Sequence, residues 1–242
     1  INPLRIFISN CEGVIRTDDG GETTPWTTVG PAGILAPVIR ISRADPSVVY
    51  FVKDQEIYRS SDGGVTTGLL PAIVGPEQQI GLRYIINDLI VDNFDANRLY
   101  VATHNAGIWK SEDGGNIWTP MNHTLPNQGQ GLNFSRLAMD PQNGDVVWAY
   151  GTGLSISSVD PITAIDRGFF RTVDAGVTWQ SIQADLPIDL VINDLIVPEH
   201  GDRGLMLTTF NGIWRYSPTA INDGDLVKSS QDPAEGGTVF LI

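Results

Sequence analysis

The amino-acid sequence predicts an all-β fold made of about five repeated units, and three observations lead to this prediction. Gly occurs 26 times and Pro 15 times in 242 residues, a turn-rich composition typical of chains with many short strands. A turn motif that combines a cation, a Ser or Thr, an Asp and a Gly occurs four times. Short runs rich in β-branched and aromatic residues precede each copy, without the 3.6-residue periodicity of amphipathic helices.

Each copy of the turn motif reads cation, Ser or Thr, any residue, Asp, any residue, Gly. The Asp side chain in such a turn can accept hydrogen bonds from backbone N–H groups, and the Gly can adopt a positive φ angle. The motif therefore predicts a pinned hairpin turn with a structural role. The hydroxyl, Asp and Gly positions are Thr17, Asp19, Gly21; Ser60, Asp62, Gly64; Ser111, Asp113, Gly115; and Thr172, Asp174, Gly176.

Four strands, which we call A to D in chain order, make up each predicted unit, and the motif joins strand C to strand D. The hexapeptide Ile86–Val91 recurs letter for letter 106 residues later, which corresponds to two units and fits the period of blade-type repeats. The predicted A strands are 39–45, 86–91, 137–140 and 192–197. The predicted B strands are 5–9, 48–52, 98–103, 146–150 and 204–209. The predicted C strands are 13–15, 56–58, 107–109, 168–170 and 212–215.

Four short antiparallel strands cannot bury both of their faces alone, so the units must stack on one another, and radial stacking gives a β-propeller. We expect one propeller domain over residues 1–242, with about five blades, or an arc of a larger ring. The first unit lacks a strand A and the last lacks an evident strand D. We expect the tail, residues 219–242, to supply both or to pair with a neighbouring chain, with 238–242 as the closing strand.

The turn motif resembles the Asp-box, or BNR repeat, whose pattern is Ser/Thr-x-Asp-x-Gly-x-x-Trp. The third and fourth copies match it fully and end in Trp118 and Trp179, whereas Thr24 and Thr67 occupy that position in the first two. Trp26 can replace the missing ring of the first copy. The resemblance covers residues 5–217 and implies a propeller related to sialidases, sortilin-type receptors and photosystem II assembly factors. It also implies that the Asp turns lie at the blade rim, away from the ligand face.

The expected ligand face of such a propeller is formed by the loops between strands D and A and between B and C. Asn87 and Asp88, and likewise Asn193 and Asp194, open two inner strands, and Arg136 occupies the position of Asp88 in the unit between them. We predict that these five residues contribute to a ligand-facing ring. The loops expected at this face are 29–37, 71–83, 120–133, 184–189 and the insertion 151–167.

The sequence indicates a binding module more than an enzyme. Sialidases need an arginine triad and a Tyr–Glu pair, and Arg5-Ile6-Phe7 is only a faint echo of their early motif. Xyloglucanases use two carboxylates in a cleft between two propellers, a role that only fold analogy gives to Asp88 and Asp194. We assign no catalytic residue. The three histidines are isolated in the sequence, so no metal site and no cofactor is expected.

The formal net charge of −13 disfavours binding to nucleic acids and to anionic membranes, because both would repel the chain. We therefore expect an extracellular, periplasmic or cell-surface module that recognises carbohydrate or a protein partner through its loop face. Two alternatives stay open: a glycoside hydrolase of the sialidase or xyloglucanase type, and a structural subunit of a surface assembly.

Overall fold

The computed structural model describes residues 2–22, 26–33, 35–74, 84–153, 167–182, 192–199, 205–209, 212–216 and 226–228. Within these ranges the regular elements are β-strands and one 3-10 helix, Pro126–Gly129. The strands form five consecutive antiparallel units, so the predicted all-β repeat is confirmed. Among the described residues, no helix is long and apolar enough to cross a membrane.

The strands follow the predicted order A to D. The first unit contains β1 (Ile6–Asn10), β2 (Gly13–Thr17) and β3 (Thr27–Val29). The second contains β4 (Val38–Ile41), β5 (Val49–Lys53), β6 (Glu56–Ser60) and β7 (Gly68–Leu69). The third contains β8 (Ile86–Val91), β9 (Leu99–Ala106), β10 (Ile108–Ser111) and β11 (Thr119–Pro120). The fourth contains β12 (Gln130–Asp140), β13 (Asn143–Gly153), β14 (Arg167–Thr172) and β15 (Gln180–Ile182). The fifth contains β16 (Ile192–Ile196), β17 (Leu205–Thr209), β18 (Gly212–Tyr216) and β19 (Leu226–Lys228).

Each strand pairs antiparallel with the next strand of its unit. The third and fourth units also join each other, because one end of β9 pairs with β12. The first unit has three strands in the described part of the chain, and β1 is its strand B. Strand D of the fifth unit, β19, comes from the 219–242 tail, while the proposed closing strand, 238–242, lies outside the described residues.

The A strands face one another in chain order. Strand β8 contacts β4 on one side and β12 on the other, and β12 contacts β16. This is the arrangement of inner strands in a radial array, where each unit turns by a similar angle from the one before it.

Four apolar cores hold the array together, and each lies between two successive units. The core between the second and third units packs Tyr50 and Val52 against Leu89 and Trp109, for example. The other three clusters join the first to the second, the third to the fourth, and the fourth to the fifth unit in the same way. Because these cores are built from both neighbours, a unit buries its apolar faces only when the next unit is in place.

Polar side chains of one unit also reach the turns of the next. The Tyr50 hydroxyl donates a hydrogen bond to the carbonyl oxygen of Ala96 at 2.9 Å, and the Tyr100 hydroxyl donates to that of Ala175 at 3.2 Å. The Arg16 guanidinium donates to the carbonyl oxygen of Gly63 at 2.6 Å. These bonds fix the angle between neighbouring units.

Candidate functional site

The four Asp turns share one hydrogen-bond pattern. The hydroxyl of the motif donates to the Asp carboxylate in every turn, from Thr17 to Asp19, from Ser60 to Asp62 at 2.8 Å, from Ser111 to Asp113 at 2.8 Å and from Thr172 to Asp174 at 2.7 Å. In the last three turns the same hydroxyl accepts the N–H of the motif Gly, at 2.8, 2.8 and 2.9 Å. In the first turn the N–H of Gly21 donates to the carboxylate instead, at 3.0 Å.

In three of these turns the pKa of the carboxyl group, that of Asp62, Asp113 and Asp174, is lowered, which favours the ionised form. Hydrogen bonds from the Thr66 hydroxyl and N–H, and from the Ser60 hydroxyl, hold the pKa of Asp62 well below its ordinary value. The N–H of Ile117 has the largest effect in lowering the pKa of Asp113. Charge-assisted bonds of this kind are stronger than those between neutral groups, so the turns are rigid at neutral pH.

Aromatic rings cover the motif glycines. A Cβ atom added to Gly115 would lie 3.4 Å from the ring of Trp118, and one added to Gly21 would lie 3.2 Å from the ring of Trp26. Trp26 thus covers the first turn, although it stands two residues beyond the expected position. Trp179 is buried, and its indole N–H donates to the carbonyl oxygen of Met121 in the preceding unit at 2.9 Å.

The Asp turns lie at the end of each unit where strand A passes into strand B. One backbone N–H of each turn donates to a carbonyl oxygen in the first residues of strand B of the same unit or just before it. These bonds run from Gly20 to Leu4 at 2.8 Å, from Gly63 to Ser47 at 2.7 Å, from Gly114 to Asn97 at 2.9 Å and from Ala175 to Asp145 at 3.0 Å.

A cavity of about 370 Å³ lies between the four A strands. It extends from the middle of these strands to the turns that follow them, at the same end of the units as the Asp turns. We call it the channel cavity. Of the loops expected at the opposite face, 75–83, 154–166 and 183–191 lie outside the described residues. The cavity is lined by Arg40, Ile41, Arg43, Ile90, Val91, Asn93, Leu137, Ala138, Met139, Asp194, Leu195, Ile196 and Val197.

Charged residues occupy equivalent positions on three of the A strands. Asp88, Arg136 and Asp194 each follow an irregularity in the pairing of strands A and B. A bulge of this kind redirects the side chain that follows it. The residues in the bulges are Asn87, Ser135 and Asn193.

Asp88 is buried, with 3% of its surface exposed. One carboxylate oxygen accepts the Arg40 guanidinium at 2.7 Å and the N–H of Leu89 at 2.9 Å, and the other accepts the N–H of Leu137 at 3.0 Å. Burial raises the pKa of Asp88, and Arg40 and the two N–H groups oppose that rise. Both oxygens are therefore used to tie β4, β8 and β12 together.

The other four predicted residues take part in two separate bridges, one from β8 to β12 and one from β12 to β16. The Asn87 amide donates to the side-chain oxygen of Asn133 at 2.6 Å and to the carbonyl oxygen of Phe134 at 2.7 Å. The Arg136 guanidinium donates to the carbonyl oxygen of Asn193 at 2.7 Å and lies 3.8 Å from the Asp194 carboxylate. Asp194, whose side chain is 57% exposed, is the one of the five that lines the channel cavity.

Sequence reasoning missed Arg40, Arg43 and Asn93, which line the cavity beside Asp194. Ile39, Arg40 and Ile41 alternate between apolar and charged side chains. This period of two places Arg40 on the opposite face of the strand from the two isoleucines. Its partner Asp88 is 48 residues away, and no local pattern reveals such a pair.

An ion pair crosses from the second to the fifth unit. The Arg43 guanidinium lies 2.7 Å from the carboxylate of Glu199, just beyond β16, and both side chains are about half exposed. In the described part of the chain, no group of three or more His, Cys, Asp and Glu side chains could hold a metal ion.

Comparison with known proteins identifies the fold of the chain. No protein-family model matches the chain. A protein of Neosartorya fischeri described as a probable oligoxyloglucan-reducing end-specific xyloglucanase is 28% identical over 94 residues, which are 39% of this chain and 10% of that protein.

Two solved structures are similar over nearly the whole chain. The GH74 enzyme of Niastella koreensis has a TM-score of 0.66 and 16% identity, over 93% of this chain and 36% of that one. YCF48 of Cyanidioschyzon merolae, a protein also solved bound to D1 peptide, has a TM-score of 0.55 and 14% identity, over 94% of this chain and 68% of that one. The chain thus spans a tenth of the xyloglucanase and about a third of the GH74 enzyme. At these identities the likeness shows the fold alone, and the fold is a β-propeller.

Proposed function

We propose that this chain is a non-catalytic binding or assembly module that acts outside the cytoplasm and holds a segment of a protein partner in its channel cavity. The observation that carries the proposal is the lining of the cavity: aliphatic side chains, with Arg40, Arg43, Asn93 and Asp194 as the polar groups. An apolar cavity with a few convergent polar groups, of roughly 300–1,000 Å³, is the usual form of a ligand site in proteins.

A protein segment suits this lining better than a sugar does. None of the described residues that line the cavity is aromatic, so it lacks the flat rings on which sugars stack. The structural likeness to YCF48, solved with D1 peptide, supports the same ligand class. Carbohydrate is the second candidate, because the sequence relative with 28% identity is described as a xyloglucanase.

Hydrolysis of a glycosidic bond requires two carboxyl groups that flank the bond. Asp88 is buried and both of its oxygens accept hydrogen bonds, while β12 lies between the strands that carry Asp88 and Asp194. This arrangement supports a role in binding for Asp194 and a supporting role for Asp88.

We further propose that Arg136 and Asn193 position Asp194 beside the ligand, and that Asn87 and Asp88 hold the cavity wall. The four turns act as structural Asp-boxes, with Trp118 and Trp179 as their covering rings. Their local hydrogen bonds support this assignment, as does the fact that no Asp-turn residue is among the described residues that line the cavity.

The test is selection of binding peptides from a displayed random library, together with a glycan array and turnover assays on xyloglucan and a sialoside. Ile196→Asp places a charge on a cavity residue that is 38% exposed, and Val177→Asp makes the same change on an Asp turn, where the residue is 63% exposed. We expect peptides that bind the parent chain and Val177→Asp but lose at least tenfold affinity for Ile196→Asp.

Equal binding by both variants would refute the cavity as the site. Turnover of either sugar that Asp194→Asn abolishes would refute the non-catalytic function. Binding to glycans alone, lost in Ile196→Asp, would replace the protein partner with a carbohydrate ligand. Fractionation of producing cells tests the location, and recovery with cytoplasmic markers would contradict it.

A further inference from the structure

The cation that precedes each Asp turn has a partner in the first three units. The Arg16 guanidinium lies 2.8 Å from the carboxylate of Asp18, and the Lys110 ammonium lies 2.7 Å from that of Glu112. Both acidic residues stand two positions after the cation, between the hydroxyl residue and the Asp of the motif. In the first and third units, the acidic residue at this position therefore neutralises the cation.

The second unit has Ser61 at this position and uses other acceptors. The Arg59 guanidinium donates to the Tyr50 hydroxyl at 3.0 Å and to the side-chain oxygen of Asn97, in the third unit, at 3.3 Å. The Cζ atom of Arg59 also lies 5.9 Å from the ring centre of Tyr50. The tyrosine therefore supplies both an aromatic face and an acceptor oxygen to the cation.

The fourth unit lacks both kinds of acceptor. Val173 stands where the first and third units have an acidic residue. Trp148 pairs with the cation, Arg171, where the second unit pairs Tyr50 with its own cation. An indole N–H donates a hydrogen bond but the ring offers no acceptor. Among the residues that the structure describes, no hydrogen-bond or ion-pair partner contacts the Arg171 guanidinium, and its Nε atom is buried without one.

The Arg171 guanidinium is nevertheless held in place. Its Cζ atom lies 5.5 Å from the ring centre of Trp148, and that tryptophan is only 1% exposed. Cation–π attraction to a fixed ring orients the guanidinium before any ligand binds. Of its three nitrogen atoms, only Nε is enclosed without a partner, which leaves the two Nη atoms to contact a ligand. Such a fork matches the geometry of a planar carboxylate, which accepts two parallel N–H bonds.

The surroundings of Arg171 favour a carboxylate on an otherwise uncharged, apolar segment. Val173 is 55% exposed, at the position from which Asp18 and Glu112 reach their cations. An exposed aliphatic side chain suits contact with an apolar side chain of a peptide and gives a sugar no flat ring on which to stack. The net charge of −13 repels polyanions, which disfavours nucleic acids and other polyphosphates.

We propose that Arg171 and Val173 form a second binding site, at the Asp turn of the fourth unit, for a carboxylate group of a partner protein segment. The carboxylate takes the place beside Arg171 that Asp18 and Glu112 take beside the cations of their own units. It can belong to an acidic side chain or to the end of a chain, and the test separates these two sources. The inference is independent of the ligand proposed for the channel cavity, because neither residue lines that cavity.

The test is an NMR titration of the full chain that follows the Nε–H signal of Arg171, identified by its loss in Arg171→Lys. Three peptides serve as probes: acetyl-Val-Glu-Val-amide, acetyl-Val-Gln-Val with a free carboxyl terminus, and the neutral acetyl-Val-Gln-Val-amide. We expect a saturable shift with at least one of the two carboxylate peptides and an affinity at least tenfold lower for the neutral peptide. The stronger of the two carboxylate peptides identifies the source of the group.

A matched pair of variants tests the position of the site. Val173→Glu restores the acidic residue of the first and third units and should pair with Arg171, whereas Val173→Gln has the same size without the charge. We expect Val173→Glu to bind the carboxylate peptide at least tenfold more weakly than Val173→Gln does. Equal affinities of the two variants, or no saturable shift with either carboxylate peptide, would overturn the proposal. Tighter binding of inorganic phosphate than of both peptides would overturn the carboxylate as the ligand.

Discussion

Successive units come into close contact at the motif glycines, and this contact predicts the effect of Gly115→Ala on stability. Gly115 has a φ angle of +94°, and a Cβ atom added there would lie 2.5 Å from a methyl carbon of Leu70 in the preceding unit. A residue with a side chain at such a backbone angle costs about 1–3 kcal/mol, and overpacking adds roughly 1–3 kcal/mol unless Leu70 moves aside. We therefore expect the free energy of unfolding to fall by about 3 kcal/mol and the melting temperature by roughly 10 °C.

The assay is urea denaturation followed by tryptophan fluorescence, with Gly68→Ala as the matched control. Gly68 lies in the neighbouring hairpin, its φ is not positive, and nothing lies within 4 Å of an added Cβ atom. Its replacement should change the stability by less than about 0.5 kcal/mol. Leu70→Ala in the Gly115→Ala background should restore the part of the unfolding free energy that is lost to overpacking. The part that is lost to backbone strain should remain lost. Equal stability of the two single variants would refute the view that units meet at the motif glycine.

Three further predictions concern single polar side chains. Because the folded-state pKa of Asp113 is lowered, its ionised form stabilises the fold above the unfolded-state pKa of about 3.9, and this contribution is lost as the pH falls through the folded-state value. Asp113→Asn should therefore lower the urea midpoint at pH 6 and show little difference at pH 2; a constant difference would contradict this. Asn122→Ala should cost about 1–3 kcal/mol in urea denaturation, because it leaves the N–H of Ile108, held at 2.8 Å, without its acceptor. Asp88→Asn should cost about 3 kcal/mol by the same assay, since Arg40 loses its buried counter-ion, and a neutral result would mean that Asp88 does not tie the strands together.

Local pattern was sufficient to predict most of the inner and middle strands. The hexapeptide Ile86–Val91 begins and ends where strand β8 does, because its alternation, its turn residues and its repeat all indicate the same element. The predicted start of β12 at residue 137 was wrong, because β12 begins at Gln130. The polar run before Leu132 gives no strand signal, and pairing of β12 with β9 and β13 stabilises it there.

The candidate site could be predicted only in part. Periodicity located Asp88, Arg136 and Asp194 on the inner strands, but periodicity does not say which of them is buried. That outcome depends on Arg40, a residue of another unit that neutralises Asp88 from 48 positions away. Arg43 and Glu199 meet across 156 positions, a separation at which sequence pattern contains no information about contact.

The Asp turns have a consequence for how such a chain can arise and fold. Their bonds between hydroxyl, carboxylate and N–H groups connect residues only two to four positions apart. Contacts this local close small loops at little entropic cost, so each hairpin can form early and without waiting for distant strands. A short segment whose stabilising hydrogen bonds all lie within it can also be duplicated in a gene and still fold at its new position in the chain. An array of such units can therefore be extended by duplication, with later changes needed only at the surfaces where one copy contacts the next.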